Sequence, residues 1–186
     1  VRNIGLIGKA RSGKDTAANA LVRERSYTRL AFADPLKAMV LGTDPFVPTG
    51  WGLSVRLQAL IADVGWEYAK DTYPEVRRLL QRTGQAVREL DDDFWLAAMR
   101  KKLNAAESWN LPVVVTDVRY PNEADMLRSR GFTLVRIVRP TGTAKTIGEA
   151  RAAMHASETA LDDYRADVVL TNDGTVDALT QGVIRI

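Results

Sequence analysis

The sequence predicts an α/β protein, with a mostly parallel, five-stranded sheet covered by helices on both faces. Three observations carry that prediction. Largely apolar runs of strand length recur at residues 3–7, 27–32, 111–116, 133–138 and 167–170, and in some, such as Ile4 to Ile7 and Val113 to Val115, consecutive residues are apolar rather than alternating, as in strands buried on both faces. Stretches with helical spacing of apolar residues separate these runs. The first run also leads through a glycine-framed basic loop into a helix start, the strand, loop, helix order of a right-handed parallel crossover.

In chain order, residues 3–7 form the first strand and residues 14–25 a helix that begins on the loop. Tyr27 to Phe32 is the second strand. Asp34-Pro35 opens a helix with proline at its first position, continued by Leu36, Met39 and Val40. Gly42 to Gly52, with Pro45, Pro48 and further glycines, reads as a loop, and helical spacing resumes from Leu53 to about Tyr68 through Leu57, Leu60, Ile61 and Val64. Pro74 starts another helix through Val76, Leu79, Leu80, Thr83 and Val87, with Gly84 inside it. Asp91, Asp92 and Asp93 are N-cap candidates for a helix bearing Phe94, Trp95, Leu96, Met99 and Leu103. Leu111 to Thr116 is the most apolar run, with Asp117 just past its end. Pro121 to Arg130 is helical and stops at Gly131, and Thr133 to Val138 is a strand that Pro140 breaks. Thr141 to Arg165 is polar, a loop plus a short helix. Asp167 to Leu170 is the last strand, Asn172-Asp173-Gly174 a turn, and Val176 to Val183 the closing helix.

The totals narrow the chemistry. A chain of 186 residues with 46% hydrophobic content suits one domain with a full core. There is no cysteine, which excludes disulfides, thiolate nucleophiles and cysteine zinc sites, and a single histidine excludes a histidine-rich metal centre. Any metal is then expected to be magnesium held by oxygens. The charge balance, 26 basic against 23 acidic residues, is scattered, so the sequence does not predict stable nucleic-acid binding. No run is long enough to span a membrane and no signal peptide is evident, so a cytoplasmic protein is expected.

The loop carries the most specific signal. Gly8, Gly13 and Lys14 fit G-x-x-x-x-G-K, in which backbone N–H groups converge at a helix N-terminus to cradle phosphates and the lysine adds a cation. Ser or Thr normally follows that lysine and faces magnesium. Asp15 stands there instead, with Thr16 next, so either Asp15 reaches the metal or Thr16 bonds a phosphate while Asp15 does another job. Topology places Gly8 to Thr16, Asp34, Asp117 and Arg119 at strand ends, where ligands of such sheets bind. Asp117 has the form of a magnesium-facing carboxylate, against the plainer reading of a turn or cap. Arg11, Arg77, Arg78, Arg82, Arg119 and Arg139 are candidate phosphate clamps, and beside Leu79-Leu80 at most one of Arg77 and Arg78 points inward. Spacing alone favours Phe94 and Trp95 as core over base-stacking. His155 with Ser157 suggests a hydrolase only weakly, because no nucleophile elbow surrounds any serine.

Several blocks in this order resemble the landmarks of bacteriophage deoxynucleoside monophosphate kinases, nearly end to end. They are residues 8–16 with the Arg-Ser-Gly-Lys-Asp-Thr form, Asp34-Pro35-Leu36-Lys37, Arg77 to Gly84, Phe94-Trp95, Thr116 to Glu123, Val138-Arg139-Pro140, His155 to Glu158 and Thr171 to Gly174. The resemblance implies a P-loop kinase fold over residues 1–186, with an acceptor-binding helical insertion at about 34–110 and a lid-like segment at about 141–165. It implies ATP and magnesium as co-substrates and a deoxynucleoside monophosphate as the partner, and leaves a homodimer open. Gly8, Arg11, Ser12, Gly13, Lys14, Asp15, Thr16 and Arg139 would hold ATP. Asp15 and Asp117 would serve the metal, and Lys14, Arg11, Asp117 and Arg119 would be catalytic. Leu36, Lys37, Arg78, Gly84, Trp95, Asp117, Arg119 and Glu123 would bind the acceptor, which moves Trp95 from core to base contact. Ala10 stands where some relatives carry a lysine, with Lys9 one position earlier. Two rival readings remain: a kinase of another small acceptor such as dephospho-coenzyme A, and a nucleotide-switched module or DNA-associated ATPase. Against the second, the guanine-reading Asn-Lys-x-Asp pattern is absent, its nearest match being Thr171-Asn172-Asp173-Gly174.

Overall fold

The computed structural model describes residues 2–140 and 159–186. The chain divides into two compact units, residues 1–32 with 99–186, and residues 33–98.

The first unit holds a five-stranded sheet in the order β2-β5-β1-β6-β7, every neighbouring pair parallel. Its strands are β1 (Ile4–Ile7), β2 (Thr28–Leu30), β5 (Val113–Val118), β6 (Thr133–Val138) and β7 (Val168–Thr171). The five predicted strands are all present, and with both faces covered the consecutive apolar residues follow directly. Ile4 and Leu6 point to one face, where they pack with Ala17, Ala18 and Leu21 of α1 (Lys14–Arg25) and Leu179 and Val183 of the closing helix (Val176–Ile184). Gly5 faces the other way: a Cβ there would lie 2.8 Å from Leu134 Cδ2 and 3.1 Å from Leu127 Cδ1, on the helix Pro121–Ser129. Burying one such aliphatic side chain contributes about 1.5–3 kcal/mol, so the pair of layers accounts for the sheet's stability more than any surface ion pair does.

Two features of the topology aim the site. The connection leaving β1 runs to β2 at one edge, whereas that leaving β5 crosses over β1 to β6, so the switch point lies between β1 and β5. The β1–β5 register also slips, Gly5 opposite Val115 but Ile7 opposite Val118, which puts one extra residue, a bulge, at Thr116–Asp117. Asp117 therefore lies inside β5 and not beyond its end as the sequence suggested, because the bulge lets pairing continue to Val118.

In the second unit, α2 (Ala33–Thr43), α3 (Leu57–Thr72) and α4 (Pro74–Leu90) build a core of Val40, Val47, Leu57, Leu60, Ala69 and Val76, and the start of α5 (Phe94–Ser108) completes the unit in sequence. The expected loop from Gly42 to Gly52 is instead half of an antiparallel hairpin, β3 (Phe46–Gly50) with β4 (Leu53–Arg56), and α3 begins at Leu57 rather than Leu53. Trp51 and Gly52 both take positive φ, the conformation of a tight two-residue hairpin turn. Pro48 is tolerated because a two-stranded ribbon has open edges. Gly65, at φ 73°, kinks α3. The remaining helices carry the numbers α6 (Pro121–Ser129) and α7 (Val176–Ile184). Of the polar segment 141–165, residues 141–158, including His155 and Ser157, lie outside the described residues.

Candidate active site

Gly13 caps α1 with φ 108° and offers no side chain to the first turn, whose leading N–H groups have no partner within the helix. This is the form an anion seat requires. The loop before it is held tightly. A Cβ on Gly8, at φ 152°, would sit 2.5 Å from the Ile137 carbonyl oxygen, so β6 leaves room for glycine alone. Arg11 takes φ 61° at the exposed turn, and Ser12 N–H donates to the Lys9 carbonyl at 3.2 Å. Lys14 is 8% exposed, and its ammonium donates to the Gly8 and Lys9 carbonyls at 2.6 and 2.7 Å, which turns its charge into the loop. Ser12 is 4% exposed, and its Oγ is, among the described residues, the buried side-chain polar atom without a hydrogen-bond partner. Such an atom is rare in a native fold and points to a group it would serve.

Around this loop the first unit gathers most of the predicted residues. Asp117, on the strand beside β1, accepts from Phe32 N–H at 2.7 Å through Oδ1, tying the end of β2 to β5. Arg119 and Glu123 follow. Glu123 is only 2% exposed, and its Oε2 accepts from the N–H groups of Arg119 (2.8 Å) and Tyr120 (3.2 Å), so it fixes the turn that carries Arg119. Asp15 is three-quarters exposed with its carboxylate 3.8 Å from Arg29 on β2. Arg139 and Pro140, after β6, line a depression of about 190 Å³ together with Asn172, Asp173 and Gly174, after β7.

The other predicted residues lie in the second unit. Trp95 is buried, its ring edge-on to Phe94 at 4.9 Å and its indole N–H donating to the Gly84 carbonyl at 3.3 Å, the core placement that spacing favoured. Gly84 in turn abuts Leu36, where an added Cβ would meet Cδ2 at 3.1 Å. Leu36, Gly84 and Trp95 are thus contiguous. Lys37 lies over the Trp66 ring at 5.7 Å. Of the two adjacent arginines, Arg77 is occupied by the Lys70 carbonyl and Asp71 at the end of α3, while Arg78 is exposed and paired with Glu75 at 2.7 Å.

Sequence reasoning gave no role to two contacts. Arg29 is seen beside Asp15 only once β2 is placed. Asn172 Nδ2 donates to the Ser12 carbonyl at 2.8 Å, a brace on the loop from the far end of the chain. Asn172 lies in the Thr171 to Gly174 stretch, whose sequence marks the spot without indicating its use. The described end of the polar segment is also anchored: Arg136 donates to the carbonyls of Leu161 and Tyr164, and Tyr164 O–H to Asp125 at 2.6 Å. Burial pushes the Tyr164 phenol above its ordinary range, and that bond to Asp125 adds to the effect.

A glycine-framed loop after the central strand of a 2-5-1-6-7 parallel sheet defines the class, a P-loop kinase fold. Dephospho-CoA kinase from Campylobacter jejuni superposes with a TM-score of 0.55 over 100% of this chain and 95% of that one, at 9% identity, which is a likeness of fold alone. The family model described as deoxynucleotide monophosphate kinase matches residues 55–183, and the chain belongs to that family. This match begins after the phosphate loop. A protein of Acanthamoeba polyphaga mimivirus, assigned as a deoxynucleotide monophosphate kinase, is 29% identical over 97% of this chain and 93% of its own. The deoxynucleotide monophosphate kinase of Enterobacteria phage T4 is 30% identical over 56% of this chain and 42% of its own, and a protein of Ictalurid herpesvirus 1 is 35% identical over 59% and 47%. The chain therefore spans less than half the length of the last two.

Proposed function

We propose that the chain transfers the γ-phosphoryl group of ATP to the 5′-phosphate of a deoxynucleoside monophosphate, giving ADP and the deoxynucleoside diphosphate. The observation that carries the reading is the loop around Lys14, an inward-turned ammonium and an unpartnered Ser12 hydroxyl at a helix N-terminus, in a chain of this family. An oxygen of the acceptor phosphate attacks the γ-phosphorus as the bond to the β–γ bridging oxygen breaks, and the electron pair leaves on ADP. That oxygen is already anionic at neutral pH, so no strong base is needed and positioning with charge stabilisation supplies the rate.

On the donor side, Lys14 would exchange its carbonyl partners for β/γ-phosphate oxygens. Ser12, Gly13 and Thr16 would donate to them, and Gly8 keeps the backbone close. Arg11 at the exposed turn would spread its guanidinium over the transferring charge. The depression beside Arg139 and Asn172 to Gly174 is the proposed seat of the ATP base. Among the described residues no cluster of three or more His, Asp or Glu side chains could cage a cation. Magnesium keeps water and phosphate oxygens and takes only one or two carboxylates, so Asp117 and Asp15 would be the side chains to meet it, and when bound it would neutralise phosphate charge.

Arg119 would grip the acceptor phosphate, with Glu123 setting its backbone. Leu36, Lys37, Arg78, Gly84 and Trp95 are the proposed contacts to the rest of the acceptor. Both substrates are cytoplasmic metabolites, so we place the reaction in the cytoplasm, that of the host if the chain is viral. No helix among the described residues is long and apolar enough to cross a membrane. The deciding experiment is a panel of deoxynucleoside and ribonucleoside monophosphates and dephospho-coenzyme A in a coupled ADP-release assay. Turnover with deoxynucleoside monophosphates is expected; turnover with dephospho-coenzyme A alone, or ATP hydrolysis stimulated by DNA with no mononucleotide phosphorylated, would refute the proposal.

A further inference from the structure

We infer that Asn172 is a positioning residue for the phosphate loop, holding it in its anion-ready form from the β7 end of the sheet. The inference rests on the nucleotide-binding reading of the loop and goes beyond it, because it assigns the loop's shape to a residue 160 positions away in sequence.

Three observations fix this residue in place. Its amide Nδ2 donates to the Ser12 carbonyl at 2.8 Å. Its backbone N–H donates to the Val138 carbonyl at 2.7 Å, which fastens the residue to the end of β6. Its amide also lies where a Cβ on Gly13 would be, 2.6 Å from that position, so Gly13 and Asn172 fit together as a pair. The Ser12–Gly13 peptide is consequently clamped. In a trans peptide the C=O and N–H point in opposite directions, so a Ser12 carbonyl drawn to Asn172 turns the Gly13 N–H away from it. A peptide free to rotate would present the carbonyl to an incoming anion part of the time. With Asn172 in place the donor orientation is set before the ligand arrives, which is how preorganised sites avoid a reorganisation cost.

Asn172 also lines the depression beside Arg139 and Pro140, so two explanations of its importance must be separated. A residue that positions the loop affects every ligand carrying the phosphates. A residue that touches the base affects ATP alone. Inorganic tripolyphosphate, which has the phosphates and no base, distinguishes them.

The test compares wild type with Asn172→Ala, Asn172→Asp and Asn172→Ser, measuring dissociation constants for ATP and tripolyphosphate, the acceptor KM and Tm. For Asn172→Ala, binding of both ligands should weaken by about 3- to 10-fold, the worth of one net hydrogen bond, with acceptor KM within two-fold and Tm close to wild type. Asn172→Asp should weaken both further, because its carboxylate opposes the Ser12 carbonyl and the phosphates. Asn172→Ser keeps a donor and should recover part of the loss, which covers the case in which the alanine variant folds poorly. Unchanged affinities in Asn172→Ala, or a loss for ATP without one for tripolyphosphate, would overturn the inference and leave the kinase reading intact. Wild type that binds neither ligand would overturn the nucleotide-site reading itself.

Discussion

Gly13→Ala tests the loop's construction most directly. Gly13 has φ 108°, where an L side chain is strained, and an added Cβ would lie 2.6 Å from Asn172 Nδ2 and 2.9 Å from Leu179 Cδ2. Backbone strain of this kind costs about 1–2 kcal/mol and displacing the Asn172 amide from the Ser12 carbonyl about 1 kcal/mol more, a total of about 2–3 kcal/mol. Two outlets exist for that energy. If the loop keeps its shape, the protein loses stability and Tm falls by about 4–12 °C, at 2–4 °C per kcal/mol for a chain of this size. If instead the loop relaxes to a new shape, Tm is spared and ATP affinity falls by about 30- to 150-fold, since each 1.4 kcal/mol is tenfold. Calorimetry and ATP titration on the same sample read both outlets, and their sum should approach the total. Gly42→Ala is the control: it lies in α2, nothing is within 4 Å of the added Cβ, and the change should raise Tm by about 1–4 °C through helix propensity. A Gly13→Ala protein with Tm within 1–2 °C and ATP affinity within about two-fold of wild type would refute the reasoning.

Three further outcomes are expected. Lys14→Ala should cut kcat with a deoxynucleoside monophosphate by about 10²–10³-fold, as loss of one preorganised charge-stabilising group does, and a decrease of only a few-fold would remove the phosphate chemistry from this loop. Arg119→Ala should raise the acceptor KM or lower kcat far more than it changes the ATP dissociation constant; the opposite pattern would place Arg119 on the donor side. Burial raises the phenol of Tyr27 as well as that of Tyr164, so both bind their protons more firmly folded than unfolded. Their contribution is complete below the unfolded phenol's pKa near 10 and is lost as pH rises through the raised folded values. Urea melts from pH 9 to 11 should therefore show stability falling, and falling less steeply in the double variant Tyr27→Phe with Tyr164→Phe; equal slopes would contradict the shift.

How legible the protein was depends on where the information sits. β1, β5 and β6 could be read because burial on both faces leaves consecutive apolar residues, Ile4 to Ile7, Val113 to Val115 and Leu134-Val135, and α1 because the glycine and lysine positions of its loop mark where it starts. The hairpin Phe46–Arg56 was not, since Pro45, Pro48 and the glycines resemble a loop while Leu53, Leu57, Leu60 and Ile61 fit helical spacing. Its turn depends on positive φ at Trp51, which no local pattern advertises. In the candidate site, Lys14 and Gly13 were legible because the motif is contiguous. Glu123 was visible as a charged residue, but its burial beneath the Arg119 turn needed the fold. Arg29 and Asn172 act through space on residues distant in sequence, so only the packed sheet discloses their partners. Trp95 shows two sources of inference pulling apart: its spacing pointed to the interior, where its indole is found, and the resemblance to a base contact.

The irregular stretch at Thr116–Asp117 has a consequence for how this part of the chain tolerates change. Successive side chains alternate between faces along a strand, and the bulge absorbs one surplus residue so that Val118 still pairs with Ile7. Trimming a single amino acid here would straighten the ladder against β1 and remove the irregular pair that sets where Asp117 stands. Length is therefore as strictly specified at this spot as chemical identity, and a one-residue deletion should be far more damaging than any conservative replacement of Thr116.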